Sequence, residues 1–164
     1  MLDALLEALL ESWDRNNAIL INLLQALPDG AMDARPMDGS PTIGGMFMHI
    51  HYVRLALVSE NAPECAVEVP PDEWRTETDR SRLARMLNES AGVVREAVQR
   101  RLDTGKEMNR HYDHPILMLQ HLVWHEGYHH GQMKLALKAA GLALDPKAVG
   151  RVTWGVWLRK SRRP

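Results

Sequence analysis

The sequence predicts an all-α fold, a four-helix bundle in a single domain over residues 1–164. Four segments of about 19 to 27 residues carry apolar side chains at helical spacing, and short linkers rich in Pro, Gly and Asp join them. Only residues 152–158 alternate enough to suggest a short strand. The balance of 45% hydrophobic and 25% charged residues is that of a folded globular protein.

The first two predicted helices cover about residues 2–27 and 42–60. Leucines at helical spacing define the first helix, and a Pro-Asp-Gly sequence at residues 28–30 ends it. The second is entered through Gly-Ser-Pro at residues 39–41. We expect residues 61–76, which contain three prolines, to form a loop.

The third and fourth predicted helices cover about residues 78–102 and 114–140. The third is heavily charged, with a narrow apolar stripe. The fourth has Asp113 as its expected N-cap, Pro115 in its first turn and Gly141 just past its end. The tail, residues 142–164, carries Trp154 and Trp157 and is expected to fold over the bundle or over a partner subunit. Because a lone bundle does not readily cover two large apolar groups, we expect a homodimer.

Composition excludes several classes of protein. The net charge of −1 gives no reason to expect binding to nucleic acid or to an anionic membrane. The only local excess is the run Arg159, Lys160, Arg162 and Arg163, interpreted as a solvated terminus rather than a phosphate-binding tail. Cys65 is the single cysteine, so no internal disulfide forms. No apolar run reaches the roughly 18 to 20 residues of a membrane span, and the acidic N-terminal segment does not resemble a signal peptide, so we expect a cytoplasmic protein.

Histidine is concentrated in the fourth predicted helix: five of the eight histidines lie between residues 114 and 130. His121, His125 and His129 follow one another in steps of four, about 40° each on a helix, and share a face with Met118 and Leu122. We therefore expect these three rings to point into the bundle. Two histidines one turn apart can both bind one ion at about 2.0 to 2.1 Å, but a further ligand must come from another element.

The second predicted helix offers His49 and His51, which lie about 200° apart on a helix, so only one of them can face the site. The helical wheel does not separate the two. The more apolar neighbours of His49 favour it slightly. A lone buried histidine is usually a core residue, but burying several rings without partners costs roughly 1 to 3 kcal/mol each, which favours a metal site.

Two motifs resemble those of the DinB/YfiT family of helical metalloproteins: residues 42–50 (TIGGMFMHI) and residues 121–132 (HLVWHEGYHHGQ). The resemblance covers nearly the whole chain in helix order. It implies an antiparallel four-helix bundle with a divalent metal ion (Zn, Ni, Fe or Mn) held by His49, His125 and His129, with one position open. Family members of known activity include thiol-dependent transferases and isomerases that use bacillithiol, mycothiol or glutathione, and the family name implies no DNA chemistry here.

Other residues near the motif have open roles. His121 is a fourth ligand, a residue that orients a ligand, or a packed polar side chain; we favour the second role. Gln132 lies one turn below the ligands and is expected to reach a bound water. His130, about 100° from His129, is expected to lie outside the site, and His111 and His114 to be capping or surface residues.

Alternative classes fit the sequence less well. Residues 125–129 match the HExxH pattern of zinc proteases, but no Glu or His follows His130, leaving only Asp145 as a downstream ligand. A carboxylate-bridged di-iron site needs a second Glu-x-x-His, which the chain lacks. Glu126 lies about 100° from the neighbouring ligand and is not expected to act as a base. The sequence thus predicts a thiol-dependent S-transferase or related hydrolase acting on a small molecule, with a non-enzymatic, metal-stabilised binding or stress-response module as the alternative.

Overall fold

A computed structural model describes residues 2–158 of the chain, and this part of the chain contains helices and no strands. Its helices are α1 (Leu2–Ala26), α2 (Ile43–Asn61), α3 (Arg80–Thr104), α4 (Pro115–Ala139) and α5 (Pro146–Val152), with 3-10 helices at Ala31–Asp33, Pro63–Cys65 and Trp154–Leu158. The all-α fold class is confirmed. None of the described helices combines the length and the apolarity needed to cross a bilayer.

Capping side chains define where the helices begin. The Thr42 hydroxyl accepts a hydrogen bond from the Gly45 amide at 3.0 Å, and Asp79 caps α3 in the same way. At α4 the cap is His114, whose Nδ1 accepts from the Ile116 amide at 3.2 Å. The prediction of Asp113 was wrong by one residue, because Pro115 is the first helical residue and the residue before it is therefore the N-cap.

Two apolar clusters run through the core. The Phe47 cluster includes Leu20, Leu24, Phe47, Leu83, Leu87 and Met133. The Trp13 cluster includes Leu10, Trp13, Val58, Val94, Met118 and Leu122. The N-terminal halves of α1 and α4 contribute to the Trp13 cluster, and their C-terminal halves contribute to the Phe47 cluster. In α2 and α3 the order is reversed. Helices α2 and α3 therefore run parallel to each other and antiparallel to α1 and α4.

These directions are those of two pairs of helices, and the antiparallel four-helix bundle that the resemblance implies stays a prediction. Residues 62–79, which connect α2 to α3, are long enough to return along the length of a helix. Helix α2 packs against both α3 and α4. All nine residues from position 43 to position 51 are buried, so this part of α2 has no solvent face.

The C-terminal segment folds back on α1. Arg15 donates a hydrogen bond to the Val156 carbonyl at 2.8 Å, and Asn22 donates to the Val152 carbonyl at 2.5 Å. The expectation of a strand at residues 152–158 was wrong, because Asp145 caps the short helix α5 and a 3-10 helix follows it. Trp154 and Trp157 remain 59% and 43% exposed, and the homodimer stays a prediction. The basic run at residues 159–163 lies outside the described residues.

Candidate metal centre

The fold brings His49 of α2 together with His125 and His129 of α4. The Nε2 atom of His125 lies 3.0 Å from Nε2 of His49 and 3.1 Å from Nε2 of His129. One ring nitrogen from each of the three residues lies within 4.8 Å of the other two. Nitrogens bound to one ion at 2.0 to 2.1 Å lie roughly 3.0 to 3.4 Å apart, depending on the bond angle. The two spacings from His125 therefore suit a shared divalent ion.

The Nδ1 edges of two of these rings face oxygen atoms. His129 Nδ1 lies 2.8 Å from Gln132 Oε1, and the Gln132 amide group donates to the Tyr128 hydroxyl at 2.9 Å. His49 Nδ1 lies 2.8 Å from Glu73 Oε1, a close contact whose angle falls outside hydrogen-bond geometry. Both oxygens favour a hydrogen on Nδ1, which leaves the lone pair on Nε2.

The three converging nitrogens have too few hydrogens between them. If His49 and His129 each carry their hydrogen on Nδ1, two Nε2 lone pairs face His125 Nε2, which can supply one hydrogen at most. One nitrogen contact then lacks a hydrogen bond in a partly buried site. A cation bound to all three lone pairs would satisfy this arrangement, so the donor set fits a metal ion.

Burial keeps these rings neutral. It lowers the pKa of His49 to about 4, with the charge of His129 as the second cause. It lowers the pKa of His125 to about 3, with the charges of His129 and His49 next in importance. The pKa of His129 is also lowered by burial, although its hydrogen bond to Gln132 opposes the shift. Since only a neutral imidazole can bind a metal, all three are available as ligands near neutral pH.

The remaining histidines lie outside this group. His51 is buried, and its Nδ1 lies 3.0 Å from the Met86 carbonyl oxygen on α3. His121 is exposed, and its Nδ1 bonds with the Tyr112 hydroxyl at 2.8 Å, so the expectation that it points into the bundle was wrong. The steps of about 40° per turn carry His121 past the edge of the buried face. His111 is at the surface, where its ring lies 2.8 Å from Glu60.

A buried ion pair that was not predicted from the sequence lies beside the histidines. Arg54 of α2 and Glu126 of α4 are 0% and 1% exposed, and they form a bidentate pair with distances of 2.6 and 2.8 Å. Asn16 donates to the same carboxylate at 2.5 Å, and Arg54 also donates to Asn17 and to the Leu87 carbonyl. The pair thus joins all four long helices. The available signal was a charged residue at a core position of α2 and another at a core position of α4.

Two residues of the connection between α2 and α3 also contact His49 without having been predicted to do so. One is Glu73, beside Nδ1. The other is Trp74, which stacks on the His49 ring with a centroid distance of 3.9 Å and an interplanar angle of 5°. Residues 61–76 were predicted only as a loop. A tryptophan beside an acidic residue in a proline-rich loop was a signal, but nothing in the sequence placed it against α2.

One of the comparisons with known proteins gives a match. The DinB family model matches residues 1–154. The chain belongs to the DinB family. No curated protein and no solved structure matches the chain. Within this DinB chain, the glutamate of the HExxH pattern is held by Arg54, and Asp145, the one acid left downstream, caps α5. The protease interpretation therefore gains no support from the structure.

Proposed function

We propose that this DinB protein binds one divalent metal ion through the Nε2 atoms of His49, His125 and His129. The convergence of the three nitrogens, with too few hydrogens to bond to one another, is the observation that carries the proposal. Imidazole nitrogens suit zinc, nickel and iron better than they suit magnesium or calcium.

The ligand count favours an enzyme over a closed structural site. Structural zinc sites usually have four protein ligands, whereas catalytic sites have three and leave a position for water or substrate. Among the described residues the metal-ligand group has three members, and His121, the obvious fourth, is instead bonded to Tyr112. A divalent ion in such a site lowers the pKa of water or of a thiol bound at the open position.

The protein side chains then hold the ligands and keep them neutral. Gln132 orients His129 through its Nδ1 hydrogen, and burial disfavours protonation of all three rings. Glu126 is not free to accept a proton from a substrate, because both of its oxygens accept hydrogen bonds from Arg54.

For the reaction, we propose transfer of a low-molecular-weight thiol to a small electrophile, with hydrolysis of a small molecule as the related alternative. Family membership and a three-histidine site support this assignment. A thiol is a suitable substrate because a thiolate is a soft ligand that zinc binds well.

Elemental analysis of purified variants tests the metal site. Alanine at His49, His125 or His129 should abolish stoichiometric metal and leave the helical far-UV signal largely intact. The matched control is His51→Ala on α2, which should keep its metal, because that ring faces Met86. Metal retained in the His125→Ala variant, or lost in the control alone, would refute the assignment.

A thiol-transfer assay then tests the reaction. The loaded protein is given bacillithiol, mycothiol or glutathione with a small alkylating electrophile, and thiol consumption is compared with that of the His125→Ala variant. Faster consumption by the loaded wild type supports the proposal. If the wild type and the His125→Ala variant consumed every thiol at equal rates, the protein would bind metal without this activity.

A further inference from the structure

The imidazole of His49 is restrained by residues 72–77. The Trp74 indole covers one face of the ring at 3.9 Å, and the Glu73 carboxylate lies 2.8 Å from Nδ1, on the edge opposite to Nε2. His49 is the single member of the histidine group on α2, whereas His125 and His129 support each other across one turn of α4. It therefore depends more than they do on contacts from outside its own helix.

Local hydrogen bonds shape both ends of residues 72–77. Asp72 accepts a hydrogen bond from the Trp74 amide at 3.1 Å, which sets the turn. At the other end, Glu77 accepts from the amides of Thr78 and Asp79 at the start of α3. This leaves the Glu73 and Trp74 side chains facing α2.

Two glycines of α2 allow this close approach. A Cβ atom on Gly44 would overlap the backbone carbonyl oxygen of Glu77. A Cβ atom on Gly45 would lie 3.5 Å from the Trp74 carbonyl oxygen and 3.2 Å from the Thr42 hydroxyl. Both glycines lie in the first turn of α2, and the lack of a Cβ atom at each leaves a surface on which another segment packs.

We infer that Glu73 and Trp74 are positioning residues for the metal site, and that Gly44 and Gly45 form the surface on which they are held. The inference rests on the proposed metal site. The Glu73 carboxylate faces the Nδ1 edge of the ring at 2.8 Å and Trp74 fixes the plane of the ring, so Nε2 of His49 stays aimed at the other two nitrogens. Partners that orient a ligating histidine typically contribute about 10- to 100-fold to metal affinity.

Zinc affinity of the full-length protein, measured by competition with a chelator, tests the two side chains. Glu73→Ala and Trp74→Ala should each weaken binding by at least about tenfold, while Glu73→Gln, which keeps an oxygen beside Nδ1, should recover part of the loss. The control is Arg75→Ala, an exposed position in the same segment, which should bind as the wild type does. The visible spectrum of the cobalt-loaded protein should change in the first two variants only, because it reports the ligand geometry.

Gly44→Ala tests the packing surface without changing any side chain at the site. It should weaken zinc binding, because the new methyl group displaces residues 72–77. Its control is Gly92→Ala on α3, where a Cβ atom meets nothing within 4 Å. Zinc affinity equal to that of the wild type in Glu73→Ala, Trp74→Ala and Gly44→Ala would overturn this inference and leave the metal site intact. Absence of zinc binding in the wild type would overturn both.

Discussion

Two polar clusters lie next to each other between α2 and α4, and they differ in how well their hydrogen bonds are satisfied. In the Arg54–Glu126 pair, both carboxylate oxygens accept hydrogen bonds, and the guanidinium has acceptors on α1, α3 and α4. In the histidine cluster, three nitrogens face one another, and the buried Nδ1 of His125 has no partner.

This difference separates a structural cluster from a binding site. A buried polar group without a partner costs about 1 to 3 kcal/mol, so a folded protein keeps such groups where a ligand or a reaction requires them. The Arg54–Glu126 pair needs nothing beyond the protein to be stable. The proposed cation would complete the histidine cluster.

Breaking the ion pair should give the largest effect on stability. Arg54→Met leaves the Glu126 carboxylate buried without its partner, which should lower the free energy of unfolding by about 3 to 5 kcal/mol. Urea unfolding of the metal-free protein measures this loss. Arg54→Met combined with Glu126→Leu should recover part of it, because no unpaired charge remains in the core.

The surface ion pair between Arg95 and Asp14 is the matched control, since its atoms also lie 2.8 Å apart but both side chains are largely exposed. Arg95→Met should change the free energy of unfolding by less than about 1 kcal/mol. If Arg54→Met cost no more than this control, the buried pair would not stabilise the fold, and the contrast between the two clusters would fail.

The histidine cluster should give an effect of intermediate size that depends on metal and pH. A zinc concentration one hundred times the Kd should raise the free energy of unfolding by about 2.7 kcal/mol near pH 7.5. The folded pKa values of His49 and His125, about 4 and about 3, lie below the usual value near 6.5. Below pH 6.5 the unfolded chain thus binds more protons than the folded protein does. The stability linked to neutral rings is present above pH 6.5 and is lost as the pH falls through these lowered values.

Thermal melting at pH 7.5 and pH 5, with zinc and with a chelator, measures the zinc-linked and the proton-linked contributions to stability. Zinc should raise the melting temperature at pH 7.5 and do so much less at pH 5, because protons compete for the same nitrogens. The His49→Ala variant should show no response to zinc at either pH. Equal melting temperatures with zinc and with chelator at pH 7.5, in protein with confirmed metal loading, would contradict a metal coupled to this fold.

The sequence predicted the four long helices well, because caps and helix-ending residues are local signals. The spacing of four residues placed His121, His125 and His129 on one face of a helix, and the resemblance to the DinB/YfiT family selected His125 and His129 as ligands. The choice between His49 and His51 could not be made from the wheel, because α2 is buried on all sides from residue 43 to residue 51. The pairing of Arg54 with Glu126, and the contact of Trp74 with His49, join residues far apart in the chain. Such contacts depend on tertiary packing that no local pattern encodes.

The smallest expected effect distinguishes two residues that lie one turn on either side of the ligands on α4. Gln132 accepts from His129 Nδ1 at 2.8 Å, so Gln132→Ala should lower zinc affinity about tenfold, or roughly 1.4 kcal/mol. His121 is exposed and bonded to Tyr112, and its ring centroid lies 6.5 Å from that of His125. His121→Ala should therefore change the affinity by less than about threefold, since it removes no hydrogen bond from a ligand. Chelator competition measures both variants, and Tyr112→Phe is the control for the loss of the surface hydrogen bond. A loss of zinc affinity in His121→Ala as large as that in Gln132→Ala would show that His121 orients a ligand, the role favoured from the sequence. An exposed residue would then belong to the histidine cluster.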